Sequence, residues 1–116
     1  MGIVTQYAAD LSSIRSAEKR IREAVHRTPV LRSSTIDSMA SREVFFKCEN
    51  FQKVGAFKMR GALNALLSLD PELRKKGVVT HSSGNFAQAV ALSARECSVE
   101  ARIVMPSNAP RVKVEA

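Results

Sequence analysis

At 116 residues the chain is long enough for at most one domain with a modest core, and with 45% of its residues apolar it should bury surface rather than stay disordered. Eighteen basic against eleven acidic residues give a net charge of +7. The basic residues are dispersed apart from Arg74-Lys75-Lys76, and one Tyr, five Phe and no Trp make no stacking platform, so no nucleic acid is expected as partner.

Residues 1–9 read as a loose N-terminal arm. Met1 to Asp10 lacks the charged-then-apolar layout of a signal peptide, and no apolar run reaches bilayer length. A cytoplasmic protein without membrane contact is the expectation. Asp10 caps a helix whose apolar positions Leu11, Ile14, Ala17, Ile21 and Val25 follow helical spacing. Pro29 forces Thr28 out of the helical region, and Val30-Leu31 reads as a short strand. Ser33-Ser34 opens a brief helix through Met39, with either serine as its N-cap. Residues 44–49 form a strand by their β-branched and aromatic content.

A loop around Gly55 then runs into a helical pattern at Ala62, Leu63, Ala65, Leu66 and Leu69. Asp70-Pro71 caps and restarts a short helix, which Gly77 ends. A strand over 78–82, a helix over 85–96, a strand over 101–105 and a helix from Pro110 complete the order. Cys48 and Cys97 fall in a strand and at a helix end, without metal spacing, so free thiols are expected. Strands alternating with helices predict an α/β fold, an open parallel sheet with flanking helices and right-handed crossovers. Ligands belong at the C-terminal ends of such strands, where Ser82, Ser83 and Asn85 lie.

Lys58 sits at or near a helix N-terminus, where the positive end of the dipole disfavours a cation. A lysine that sheds its proton readily is a better nucleophile, as Schiff-base chemistry requires. The alternative is a surface lysine whose stem covers apolar surface. Further on, Val-Val-Thr-His-Ser-Ser-Gly-Asn at 78–85 delivers small polar residues from a strand through a Gly turn into a helix, the arrangement of an anion site.

Gly-Ala-Phe-Lys-Met-Arg-Gly-Ala at 55–62 and Ser-Ser-Gly-Asn-Phe-Ala-Gln-Ala at 82–89 together closely resemble the fold type II pyridoxal-phosphate enzymes, nearest to the serine racemase and serine/threonine dehydratase branch. The resemblance extends over His-Arg-Thr-Pro-Val-Leu at 26–31 and Phe-Phe-Lys-Cys-Glu-Asn at 45–50. It implies that Lys58 carries pyridoxal 5′-phosphate as a Schiff base and acts as base on the α-proton. Phe57 would pack beside the ring, as well as filling core. Asn85 would donate to the ring's 3′ oxygen, unless it only caps its helix, and Ser82, Ser83, Gly84 and Asn85 would surround the substrate carboxylate. Ser83 would serve as the second acid/base on the opposite cofactor face. Ser33, Ser34, Lys53 and Gln88 resemble parts of a nucleotide effector site; a helix cap and solvated helix positions are the alternatives.

Two residues depart from the family pattern. Phe86 stands where these enzymes commonly have histidine, which bears on substrate choice. Val54 stands where serine racemases commonly have a hydroxyl residue, which weakens the case for nucleotide activation. The phosphate-holding Gly-rich loop, the pyridine-nitrogen partner and the carboxylates for a divalent metal belong to later family segments, and none is expected here. The resemblance thus implies elimination of water and ammonia from serine, threonine or a related small β-hydroxy amino acid by a full-length, homo-oligomeric (dimeric) protein. Serine racemisation is the alternative. A reading of another class is a truncated, non-catalytic fragment or binding module, and residues 1–116 alone are expected not to catalyse.

Overall fold

A computed structural model describes residues 8–115. Of the arm expected over residues 1–9, the part before residue 8 lies outside the described residues. The elements run α1 (Leu11–Ile21), β1 (Val30–Leu31), α2 (Ser34–Ala40), β2 (Phe46–Lys47), two 3-10 turns (Glu49–Phe51 and Lys53–Gly55), α3 (Lys58–Ser68), α4 (Pro71–Lys75), β3 (Val78–His81), α5 (Asn85–Glu96), β4 (Ala101–Val104) and α6 (Arg111–Glu115). Among the described residues no helix is long and apolar enough to cross a membrane.

Local chemistry sets most of these boundaries. Asp10 forms a capping box with Ser13: the Ser13 amide donates to Asp10 Oδ1 at 2.7 Å and the Ser13 hydroxyl accepts from the Asp10 amide at 2.9 Å. Ser33 caps α2, and Asp70 caps α4 with Pro71 at the first helical position. Gly77 ends the α4 turn at φ 87, where an added Cβ would stand 3.0 Å from the Glu100 carbonyl oxygen.

The α/β expectation holds, with a correction to the pairing. β3 and β4 are parallel, Val78 opposite Ala101 and His81 opposite Val104, with α5 as the crossover. β1 and β2 instead form a separate antiparallel pair, Val30 opposite Lys47 and Leu31 opposite Phe46. The left-handed C-cap of α2, Ser41 at φ 51, turns the chain back instead of carrying it across. The strand expected over 44–49 shrinks to two residues. Asp37 Oδ1 takes the Val44 amide at 2.7 Å, and Cys48 leaves the extended region as the first 3-10 turn begins.

The core lies where α3 crosses α5 and meets α1. Ile21, Met59 and Leu63 form one buried cluster, and Ala62, Ala89 and Val90 the other. Small residues at 62, 87, 89 and 94 let the two helix backbones approach closely, while Met59 fills the space toward α1. Buried Ser93 directs its hydroxyl to the Met59 sulfur at 3.6 Å. Val54, just before α3, packs against both clusters. The start of α3 and the start of α5 are thereby fixed side by side.

Candidate active site

Lys58 is the first residue of α3, and Phe57 before it makes no side-chain cap. The chain reaches this helix through consecutive left-handed residues, Val54 at φ 56 and Gly55 at φ 63. For glycine this is free; for a β-branched residue it costs roughly 1–2 kcal/mol. Burial of Val54 against both core clusters offsets that strain.

Opposite, β3 ends at His81 and the chain passes through Ser82, Ser83 and Gly84 into α5. The Ser82 amide continues the ladder to the Val104 carbonyl at 3.1 Å, and its hydroxyl accepts from the Gly84 amide at 3.4 Å. Gly84, not Asn85, is the N-cap of α5, and it offers no side chain to the helix's first amides. Those N–H groups stand free for an anion. Asn85 therefore does not cap its own helix; its Oδ1 accepts from Lys113 Nζ of α6 at 2.9 Å. With that oxygen engaged, the amide NH₂ remains as donor.

Between the two helix starts lies an open cleft of about 500 Å³, bounded by Glu49 and residues 55–58 on one side and by Ser82, Asn85 and Phe86 on the other. Lys58 is exposed at its mouth rather than desolvated. Its ammonium has no hydrogen bond or ion pair among the described residues and lies 4.9 Å from the Phe57 ring centroid. Phe57, Lys58, Ser82 and Asn85 thus come together. Ser83 and Gly84 are half-buried on the same turn but do not border the cleft.

The four residues likened to an effector site do not border it either. Ser33 accepts from the Ile36 amide as the α2 cap, and exposed Ser34 is the first residue of α2. Lys53 pairs with Glu96 at 2.5 Å, and Gln88 is half-buried on α5.

A polar network beneath the Lys58 loop was not anticipated from sequence. Arg60 grips Glu49 with both ends of its fork: Nε donates to Oε2 and Nη2 to Oε1, each at 2.8 Å. The Thr28 hydroxyl donates to Oε1 at 2.6 Å. The Arg60 guanidinium, then the Thr28 hydroxyl, hold the Glu49 carboxyl at about 2, far below its ordinary 4.5, against the opposing effect of burial. Buried Gln52 adds a second clamp, accepting from the His26 amide at 2.9 Å and donating to the His26 carbonyl at 2.8 Å. These contacts join three stretches, 26–31, 45–50 and 55–62, that lie apart in sequence and meet only in the folded chain.

An amine without an acidic partner, an aromatic ring beside it, a carboxamide with a free NH₂ and an uncapped helix start suit a planar, anionic carbonyl compound. Pyridoxal phosphate fits that donor set. Fold and site together define an α/β domain with an open cleft where a free lysine amine faces an uncapped helix start. Residues 21–116 match the family described as "Pyridoxal-phosphate dependent enzyme", and the chain belongs to it, in the fold type II group. It is 57% identical over 109 residues to a serine racemase of Oryza sativa subsp. indica, covering 94% of this chain and 32% of that protein. It is 52% identical over 103 residues to an L-threo-3-hydroxyaspartate ammonia-lyase of Saccharomyces cerevisiae, covering 89% and 32%. The structure of maize serine racemase superposes with a TM-score of 0.89 at 60% identity, covering 94% of this chain and 33% of that one. The chain thus spans about a third of the length of the curated relatives it matches.

Proposed function

We propose that the full-length protein eliminates water and ammonia from serine, threonine or a related β-hydroxy amino acid, giving a keto acid. The observation that carries this reading is the unpartnered Lys58 amine facing Ser82 and Asn85 across one cleft. Lys58 binds the cofactor through its amine and then removes the α-proton. Phe57 flanks the ring, and the Asn85 NH₂ donates to the ring's 3′ oxygen, with Lys113 orienting the amide. Ser82, Ser83, Gly84 and Asn85 receive the substrate carboxylate at the α5 N-terminus. Pyridoxal phosphate, when bound, supplies the electron sink for the α-carbon.

Racemisation of serine is the second reading. It draws support from the relatives named serine racemase and from Ser83, a hydroxyl next to the cleft-lining Ser82 that would return a proton from the face away from Lys58. We assign turnover to the full-length protein, because the five glycines of this sequence are scattered and make no Gly-rich run of the kind that holds the cofactor phosphate in the family it resembles. A dimer and a cytoplasmic location belong to the same proposal.

The test is borohydride reduction in the presence of pyridoxal phosphate, followed by peptide mapping. The label should fall on Lys58 and vanish, with the visible absorption band, in Lys58→Ala. Recovery on Lys53 or elsewhere would overturn the assignment.

A further inference from the structure

Two ionisable side chains border the cleft, Glu49 and Lys58. One is an acid and the other is the amine assigned above as reactive. Opposite charges sharing a cleft attract, and a carboxylate at hydrogen-bond distance holds a lysine as ammonium. An ammonium has no lone pair with which to attack a carbonyl. Yet Lys58 has no acidic partner among the described residues, and its ammonium stands 4.9 Å from the Phe57 ring centroid.

The explanation lies in how the Glu49 oxygens are used. Arg60 donates once to each oxygen at 2.8 Å, and Thr28 adds a third donor at 2.6 Å. Arg60 follows Lys58 by two positions on α3, and residues so spaced do not share a helix face. Its guanidinium also donates to the His26 carbonyl at 3.1 Å, which anchors it on the side of the 26–28 turn. Three other lysines are engaged elsewhere, Lys113 with Asn85, Lys53 with Glu96, and Lys47 with the Thr28 carbonyl.

We infer that Arg60 is a positioning residue that keeps Glu49 from pairing with Lys58, so that the amine stays free for the cofactor carbonyl. This rests on the assignment of Lys58 as the reactive amine. A purely structural clamp would need both partners, so Glu49→Gln and Arg60→Gln would impair Lys58 alike. A guard predicts asymmetry: only the loss of Arg60 releases the acid.

The experiment is acetylation of the 116-residue protein by acetic anhydride, with Lys58 quantified against exposed Lys19 by mass spectrometry and the fold checked by circular dichroism. No cofactor is added, so this test and the reduction test fail independently. Arg60→Gln should slow Lys58 acetylation about fivefold, equivalent to about 1 kcal/mol at ~1.4 kcal/mol per factor of ten. Glu49→Gln, the Glu49→Gln/Arg60→Gln double variant and Arg60→Lys should all stay within about twofold of the unaltered protein. Unchanged acetylation in Arg60→Gln, or a double variant as slow as Arg60→Gln, would overturn the inference. Where Arg60→Gln loses its helical spectrum, Glu49→Gln and Arg60→Lys decide, and slowed acetylation in either counts against the guard.

Discussion

Thr28→Val isolates one donor of the network under the Lys58 loop. Thr28 is buried, and its hydroxyl donates to Glu49 at 2.6 Å, while its carbonyl accepts independently from Lys47. Valine keeps the shape, leaves the carbonyl contact intact and removes only the hydroxyl. The Glu49 carboxyl falls from 4.5 to about 2 on folding, which corresponds to about 3 kcal/mol at ~1.4 kcal/mol per tenfold change. Arg60 supplies the largest share and Thr28 a smaller one, so the substitution should remove about 1 kcal/mol at neutral pH. For a chain of this size that is a drop of roughly 5 °C in Tm. A depressed carboxyl contributes its full stability above 4.5 and loses it as pH falls through about 2. The gap between the two proteins should therefore be widest above 4.5 and close near 2. Urea unfolding followed by circular dichroism across that range measures it. Equal stability at neutral pH, or a gap that persists undiminished in acid, would refute the reasoning.

In the full-length protein, Ser83→Ala should abolish any racemisation while leaving substantial elimination, if Lys58 takes the α-proton as proposed above; equal loss of both with cofactor still bound would show a different role. Phe86 borders the cleft, so Phe86→His should shift the preference between serine and bulkier β-hydroxy amino acids, and unchanged kcat/KM ratios would argue against a carboxylate-side position. Gly77→Ala must hold a side chain at φ 87 with its Cβ 3.0 Å from the Glu100 oxygen. A loss of about 1–3 kcal/mol in thermal unfolding is expected, and a neutral result would mean the β3 entry relaxes freely.

Periodic apolar spacing and caps made much of this fold legible. The α5 boundaries follow from the Gly turn and the apolar run alone, and Asp10, Ser33 and Asp70 mark their helices by chemistry local to each. Residues 44–49 misled because β-branched and aromatic content cannot show that Asp37 will take the Val44 amide. The antiparallel β1–β2 pair depended on a left-handed serine, a conformation that serine does not advertise. At the site, Lys58 and the Ser-Ser-Gly-Asn turn could be read from their motifs. Glu49, Arg60 and Thr28 could not be linked, because their partners lie 11 and 21 positions apart and meet only once the loop is folded. The same holds for Lys113, which reaches Asn85 from 28 positions away.

Val54 gives the cleft and the interior a common fate. It is the residue that touches both buried clusters, and it stands in a backbone state its own side chain resists. Glycine there would ease the backbone and empty the contact, whereas a bulkier residue would keep the contact and sharpen the strain. Neither leaves the turn into Lys58 where it is. The geometry of the amine is therefore inherited from how well the interior closes around one valine, and wear on that interior should show in the chemistry before it shows as unfolding.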